Sequence, residues 1–192
     1  EWVAYLGEPI LASDLRFLLY ETNTDTIKDM LAFAKNPNKT FLNHSLAQNA
    51  IFSLSNKKKT IAFLTYLHFA KQCEPFMTKL YYWWDERDHT TDAMDSLDMS
   101  KLIITGEKAI ASSRFPFITD RYYFQMTRLF YKTNKYKECI SFFERIKNKF
   151  SEQKNIYYRT LGYVAGAHYQ QDEFSTANYY YSLIYANNET MQ

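Results

Sequence analysis

The sequence predicts an all-α protein, on three observations. Apolar residues recur at i, i+3, i+4, i+7 along the chain: Ile27, Met30, Leu31 and Ala34 do so, then Ala47, Ala50, Ile51 and Leu54, then Phe63, Tyr66, Leu67 and Ala70. Met99, Leu102, Ile103 and Gly106 repeat the spacing, as do Tyr136, Cys139, Ile140 and Phe143, and Tyr158, Leu161, Gly162 and Ala165. Each set lines one face of a helix. Strict alternation, the mark of a half-buried strand, is rare. Glycine and proline number four each in 192 residues, which argues against a turn-rich all-β fold.

The elements follow in order. Helices are predicted at 9–20 and 24–35, the second stopped by Asn36-Pro37-Asn38. The next, 41–54, ends at Ser55-Asn56. A helix at 58–73 yields to Glu74-Pro75, which fits the start of another at 76–88, with proline in its first turn. Residues 89–94 are polar and are expected to form a flexible loop before a helix at 95–113. Phe115-Pro116-Phe117 precedes Thr119, a candidate N-cap for 119–133. Helices at 135–149, 156–171 and 173–187 complete the set. Gaps of mostly a few residues make consecutive helices antiparallel neighbours.

The last four helices repeat. Asp120–Ile146 aligns with Tyr158–Ile184 at an offset of 38: Tyr123 meets Leu161, Thr127 meets Ala165, Phe130 meets His168, Tyr136 meets Phe174, Cys139 meets Ala177, Phe143 meets Tyr181 and Ile146 meets Ile184. Small residues at Thr127 and Ala165 allow a second helix to approach. An aromatic after the turn plugs the hairpin, Cys139 or Ala177 permits the crossing, and Phe143 or Tyr181 packs on the next pair. A fainter step recurs at 36 between Leu31–Lys35 and Leu67–Lys71. This small–aromatic–small pattern resembles the tetratricopeptide repeat, a helix–turn–helix of about 34 residues. The chain lacks that family's tryptophan early in the first helix and its closing proline. The resemblance covers 119–187 well, whereas 9–113 shows degenerate helical hairpins. It implies a single domain over 1–192: a right-handed α–α superhelix of about five antiparallel helical pairs.

Composition and motifs bound the function. The net charge of +2 divides unevenly: residues 1–100 hold 10 basic and 13 acidic side chains, and residues 101–192 hold 13 and 8. That mild dipole is not the footprint of a nucleic-acid binder, and Lys57-Lys58-Lys59 reads as a solvated turn. No run of about 18 apolar residues is present. Cys73 and Cys139 are 66 apart and form no CxxC, and both fall on predicted helices. His44, His68, His89 and His168 are scattered, and the acidic stretch Asp85–Asp98 lacks the EF-hand spacing. No GxGxxG, P-loop or GxSxG occurs. The expectation is therefore no metal, no cofactor and no catalysis.

Two groups of side chains are candidate ligand contacts. Arg121, Gln125 and Arg128 share a stripe at i, i+4, i+7, which in a solenoid faces the concave groove and suits a carboxylate or a peptide backbone. The same side chains can instead bond turn carbonyls of a neighbouring hairpin, and the sequence favours that structural role. The second group is the run Tyr81-Tyr82-Trp83-Trp84, within a chain that is 18% aromatic. A helix cannot bury every ring of such a run, so Tyr81, Trp83 and Trp84 are candidate recognition rings, although the sequence favours aromatics as wedges between repeats.

The expected function is a non-catalytic scaffold binding a peptide or protein surface in a concave groove. The alternative is glycan binding at exposed aromatics, because the Tyr81–Trp84 run resembles the platforms of starch-utilisation helical-repeat lipoproteins. The segment Arg121–Leu129 is similar to a stretch in large secreted, cell-envelope tetratricopeptide proteins of bacteria. The helical pattern begins almost at once and runs almost to Gln192, which favours an excised piece; with Glu1 rather than Met as the first residue, that resemblance implies an exported, cell-envelope protein.

Overall fold

The computed structural model describes residues 1–38, 42–77, 90–151 and 155–187, with only the backbone described over 90–96. The described residues are all-α and contain no strand. The chain divides into two compact units, Glu1–Gln72 and Cys73–Gln192.

In the first unit, α1 (Trp2–Leu6) ends at Gly7, whose φ of 84° suits a residue without Cβ. The sequence reading missed α1 because five residues are too few to display a period. The helix expected at 9–20 is α2 (Ala12–Arg16), started by the Leu11 N–H donating to Asp14 Oδ2 at 2.9 Å, and it runs on into a π-helical turn over Phe17–Glu21. The third helix, α3 (Thr24–Lys35), lies where it was expected and is capped by Asn23, whose Oδ1 accepts from the Thr26 N–H at 2.8 Å.

The expected helix 41–54 is corrected to a four-residue α4 (His44–Ala47) and a 3₁₀ turn over Ala50–Ser53. Asparagine side chains are the cause. Asn43 Oδ1 accepts from the Ser45 N–H and Asn49 Oδ1 from the Ile51 N–H, each at 3.0 Å, which gives the backbone an alternative to one continuous helix. Ile51 is still fully buried, in a core with Leu18, Ile27, Met30, Phe63 and Leu64. The Trp2 ring closes this core edge-on against Phe63, with ring centroids 5.0 Å apart.

The long helix α5 (Lys57–Met77) corrects a second expectation: Pro75 does not open a new helix but lies inside this one. It removes one backbone donor near the described end, which a helix flank tolerates better than a midpoint. The predicted helix 76–88 falls outside the described residues beyond Met77. In the second unit, α6 (Thr90–Ser112) is already helical at Thr90, so 90–94 is helix and not loop. Thr90, Thr91 and Asp92 show no apolar period, so nothing in them marks a helix.

The four helices that follow are α7 (Pro116–Lys132), α8 (Tyr136–Ile146), α9 (Asn155–Tyr169) and α10 (Phe174–Asn187). Thr119 is not the N-cap of α7. Phe115 holds that place with Pro116 at the first helical position, and the Thr119 hydroxyl donates to Ser113 Oγ at 2.7 Å from within the first turn. Helix α7 packs on α8, α9 on α10, and α9 on both α7 and α8.

The 38-residue offset holds at the level of single hydrogen bonds. Asn134 (φ 58°) and Asp172 (φ 61°) are both left-handed. The Lys135 N–H donates to the Phe130 carbonyl at 2.9 Å, and the Glu173 N–H to the His168 carbonyl at 3.0 Å. The Asn134 and Asp172 N–H groups donate to Tyr131 and Tyr169, each at 3.1 Å. Both turns are therefore Schellman caps. The aromatic plug also repeats: Tyr136 meets Tyr131 edge-on at 5.6 Å, and Phe174 meets Tyr169 edge-on at 5.1 Å. The small positions Thr127, Ala165, Cys139 and Ala177 are all fully buried, which lets the paired helices close on one another. Asp120, buried on α7, accepts from the Ser151 N–H at 3.2 Å and so fixes the entry to α9.

Candidate functional site

A cavity of about 530 Å³ opens between α7, α9 and α10. Helix α7 supplies Phe124, Arg128 and Tyr131, which share one stripe at i, i+4, i+7. Helix α9 supplies Arg159, Gly162, Tyr163 and Gly166 on its facing stripe, and α10 supplies Tyr181.

The aromatic wall is built edge to face. The Tyr163 ring stands between Phe124, at 5.9 Å and 62°, and Tyr131, at 5.5 Å and 61°. Tyr131 is held on its other side by Tyr136. Its ring lies directly on the α9 backbone, where a Cβ at Gly166 would stand 2.9 Å from Tyr131 Cε2. This close approach requires glycine. Burial, with the phenols of Tyr136 and Tyr181 beside it, pushes the Tyr131 hydroxyl above its ordinary value, so it remains a donor at neutral pH.

The described residues of this wall carry two guanidiniums, three phenols and no carboxylate. The Nε of Arg128 is buried without a hydrogen-bond partner, as is Gln125 Oε1 three residues earlier. Such a wall offers donors and rings, which suit a ligand rich in acceptors with an apolar body.

The structure separates the expected stripe. Arg121 is buried: its Nη1 donates to the Phe117 carbonyl at 2.9 Å and its guanidinium stacks 3.2 Å from the Phe117 ring centre. That is a structural bond of the kind the sequence favoured, although the acceptor lies in the first turn of α7 rather than on a neighbouring hairpin. Gln125 is buried and does not line the cavity. Arg128 does line it. Tyr81, Trp83 and Trp84 lie outside the described residues. Sequence reasoning missed Phe124, Tyr131, Arg159, Tyr163 and Tyr181 as cavity residues. The one available signal was the offset, because Arg159 stands 38 residues after Arg121.

The cysteines offer no reactive centre. Both are free and buried, and burial pushes each thiol up to about 12. Cys139 Sγ donates to the Thr127 carbonyl at 3.5 Å, as a small packed side chain. Among the described residues no helix is long and apolar enough to cross a membrane.

Fold and site together define an all-α chain of packed helix pairs, compatible with a helical-repeat architecture, with a donor-rich aromatic cleft between its C-terminal helices. No protein-family model, curated protein or solved structure matches the chain.

Proposed function

We propose that the chain is a non-catalytic, tetratricopeptide-like interaction module that docks a peptide or protein segment in the cleft of its C-terminal helix pairs. One observation carries the reading: the cavity walls come from the first helices of two successive repeats, α7 and α9, with Arg128 and Tyr163 on their facing stripes. Rings and arginine on rigid helices are the usual anchors of a recognition surface. The Tyr131–Tyr163 and Phe124–Tyr163 pairs stand near 60°, so they offer niches for side chains rather than the coplanar platform a sugar requires. The cell-envelope setting implied by the Arg121–Leu129 resemblance belongs to the same proposal.

The test is a peptide array of extended ten- to twelve-residue segments, followed by titration calorimetry on the hits. Binding that is saturable and lost in Tyr163→Ala, with the helical circular dichroism unchanged, supports docking in the cleft. Binding insensitive to Tyr163, or confined to oligosaccharides in parallel titrations, overturns it.

A further inference from the structure

Several cations of the second unit have partners. Lys101 pairs with Asp98 at 2.9 Å, Lys147 pairs with Glu144 at 2.6 Å, Arg121 is bonded to Phe117, and Arg145 lies over the Phe142 ring. Arg128 and Arg159 differ. Both line the cleft, and neither forms an ion pair or hydrogen bond with a described residue. Arg159 is exposed and Arg128 half-buried, so the two cations grade from rim to interior.

Two unneutralised guanidiniums on a low-dielectric aromatic wall focus positive potential into the space between them. An arginine guanidinium pairs best with a carboxylate, two bonds to two oxygens. Beside them the wall is apolar and bare: at Gly162 an added Cβ would meet nothing nearer than Ile184 Cδ1 at 3.9 Å, which leaves the α9 backbone open to close approach.

We infer that the docked segment is an acidic peptide. A glutamate or aspartate carboxylate sits between Arg128 and Arg159, and a neighbouring aromatic or aliphatic side chain lies on the Tyr131–Tyr163 wall. This rests on the docking reading and names its ligand.

The probe is a synthetic peptide of alternating glutamate and phenylalanine with serine–glycine flanks, compared with its glutamine counterpart by titration calorimetry. The glutamate peptide is expected to bind at least about tenfold more tightly, and to weaken as salt rises from about 50 to about 500 mM. Arg159→Gln, at an exposed position that leaves the fold intact, is expected to cut its affinity about tenfold and to leave the glutamine peptide unchanged. Arg128→Gln is expected to act in the same direction. Equal binding of the two peptides, unaltered by Arg159→Gln, overturns the acidic ligand while leaving docking in place. No binding of either peptide, together with a blank array, overturns both. Inorganic phosphate displacing the glutamate peptide at equal affinity also overturns the inference, because the cleft is then a simple anion site.

Discussion

Gly162 and Gly166 stand one helical turn apart on α9 and respond oppositely to an added methyl group. In mid-helix, replacing glycine by alanine gains about 0.5–1 kcal/mol, because the unfolded chain has less freedom to lose. At Gly162 nothing opposes that gain, since the nearest atom to the new Cβ lies at 3.9 Å. At Gly166 the Cβ would stand 2.9 Å from the Tyr131 ring, and that ring is held by Tyr136 and Tyr163. Overpacking of this kind costs about 1–3 kcal/mol and outweighs the helix gain. Gly162→Ala is therefore expected to raise the urea midpoint. Gly166→Ala is expected to lower it, leaving the two at least about 1 kcal/mol apart at unchanged slope. Equal stabilisation by both would mean that Tyr131 is free to swing, and that the cleft is not built on its position.

The hairpin turns carry the repeat at the level of elements. Asn134 and Asp172 close equivalent Schellman caps in left-handed backbone, which costs a residue with Cβ about 1 kcal/mol relative to glycine. Asp172→Gly is expected to stabilise by up to about 1 kcal/mol. Asn134→Gly is expected to gain less, because Asn134 Oδ1 also accepts from the Tyr136 hydroxyl at 2.8 Å. Matched urea curves check the order, and a larger gain at Asn134 would contradict it. These turns also explain which elements the sequence displays. Helices α7–α10 were legible because a long apolar stripe, a short polar turn and a second copy 38 residues on all agree. Helix α3 was legible from its stripe and from the stop at Asn36-Pro37-Asn38. Residues 41–54 were not, because Asn43 and Asn49 bend a backbone whose apolar spacing still reads as helical. Residues 90–94 of α6 were hidden because a polar stretch without an apolar period resembles a loop. The site was legible only at Arg128. Repeat-equivalent Arg121 and Arg159 have different fates, one spent on Phe117 and the other on the cleft rim, and a space between three helices is written in no single stripe.

Each of the two units of the molecule has its own buried core. Leu18, Ile27, Met30, Ile51 and Phe63 are fully buried in Glu1–Gln72, and Met126, Leu129, Phe143, Leu161 and Val164 are about 1% exposed or less in Cys73–Gln192. Stability built from separate cores is lost locally before it is lost globally. Phe143 is the decisive side chain in the second unit. It is 1% exposed and meets Tyr157 and Tyr180 with ring centroids 6.0 and 6.3 Å away, so it ties α8 to α9 and α10. Tyr181, its partner at the 38-residue offset, is 44% exposed at the cleft instead of packed on a further pair, which corrects the equivalence drawn from the sequence. Phe143→Ala is thus expected to cost about 3–4 kcal/mol, and Tyr181→Ala less than about 1 kcal/mol. In hydrogen exchange, Phe143→Ala should strip protection from amides of α7–α10 and leave those of α3 and the first half of α5 near their original rates. Uniform loss across the chain would show that the cores are energetically one. Loss confined to α8 would show that the 38-residue pairs do not support one another, and a cleft framed by α7 and α9 would then have no rigid base.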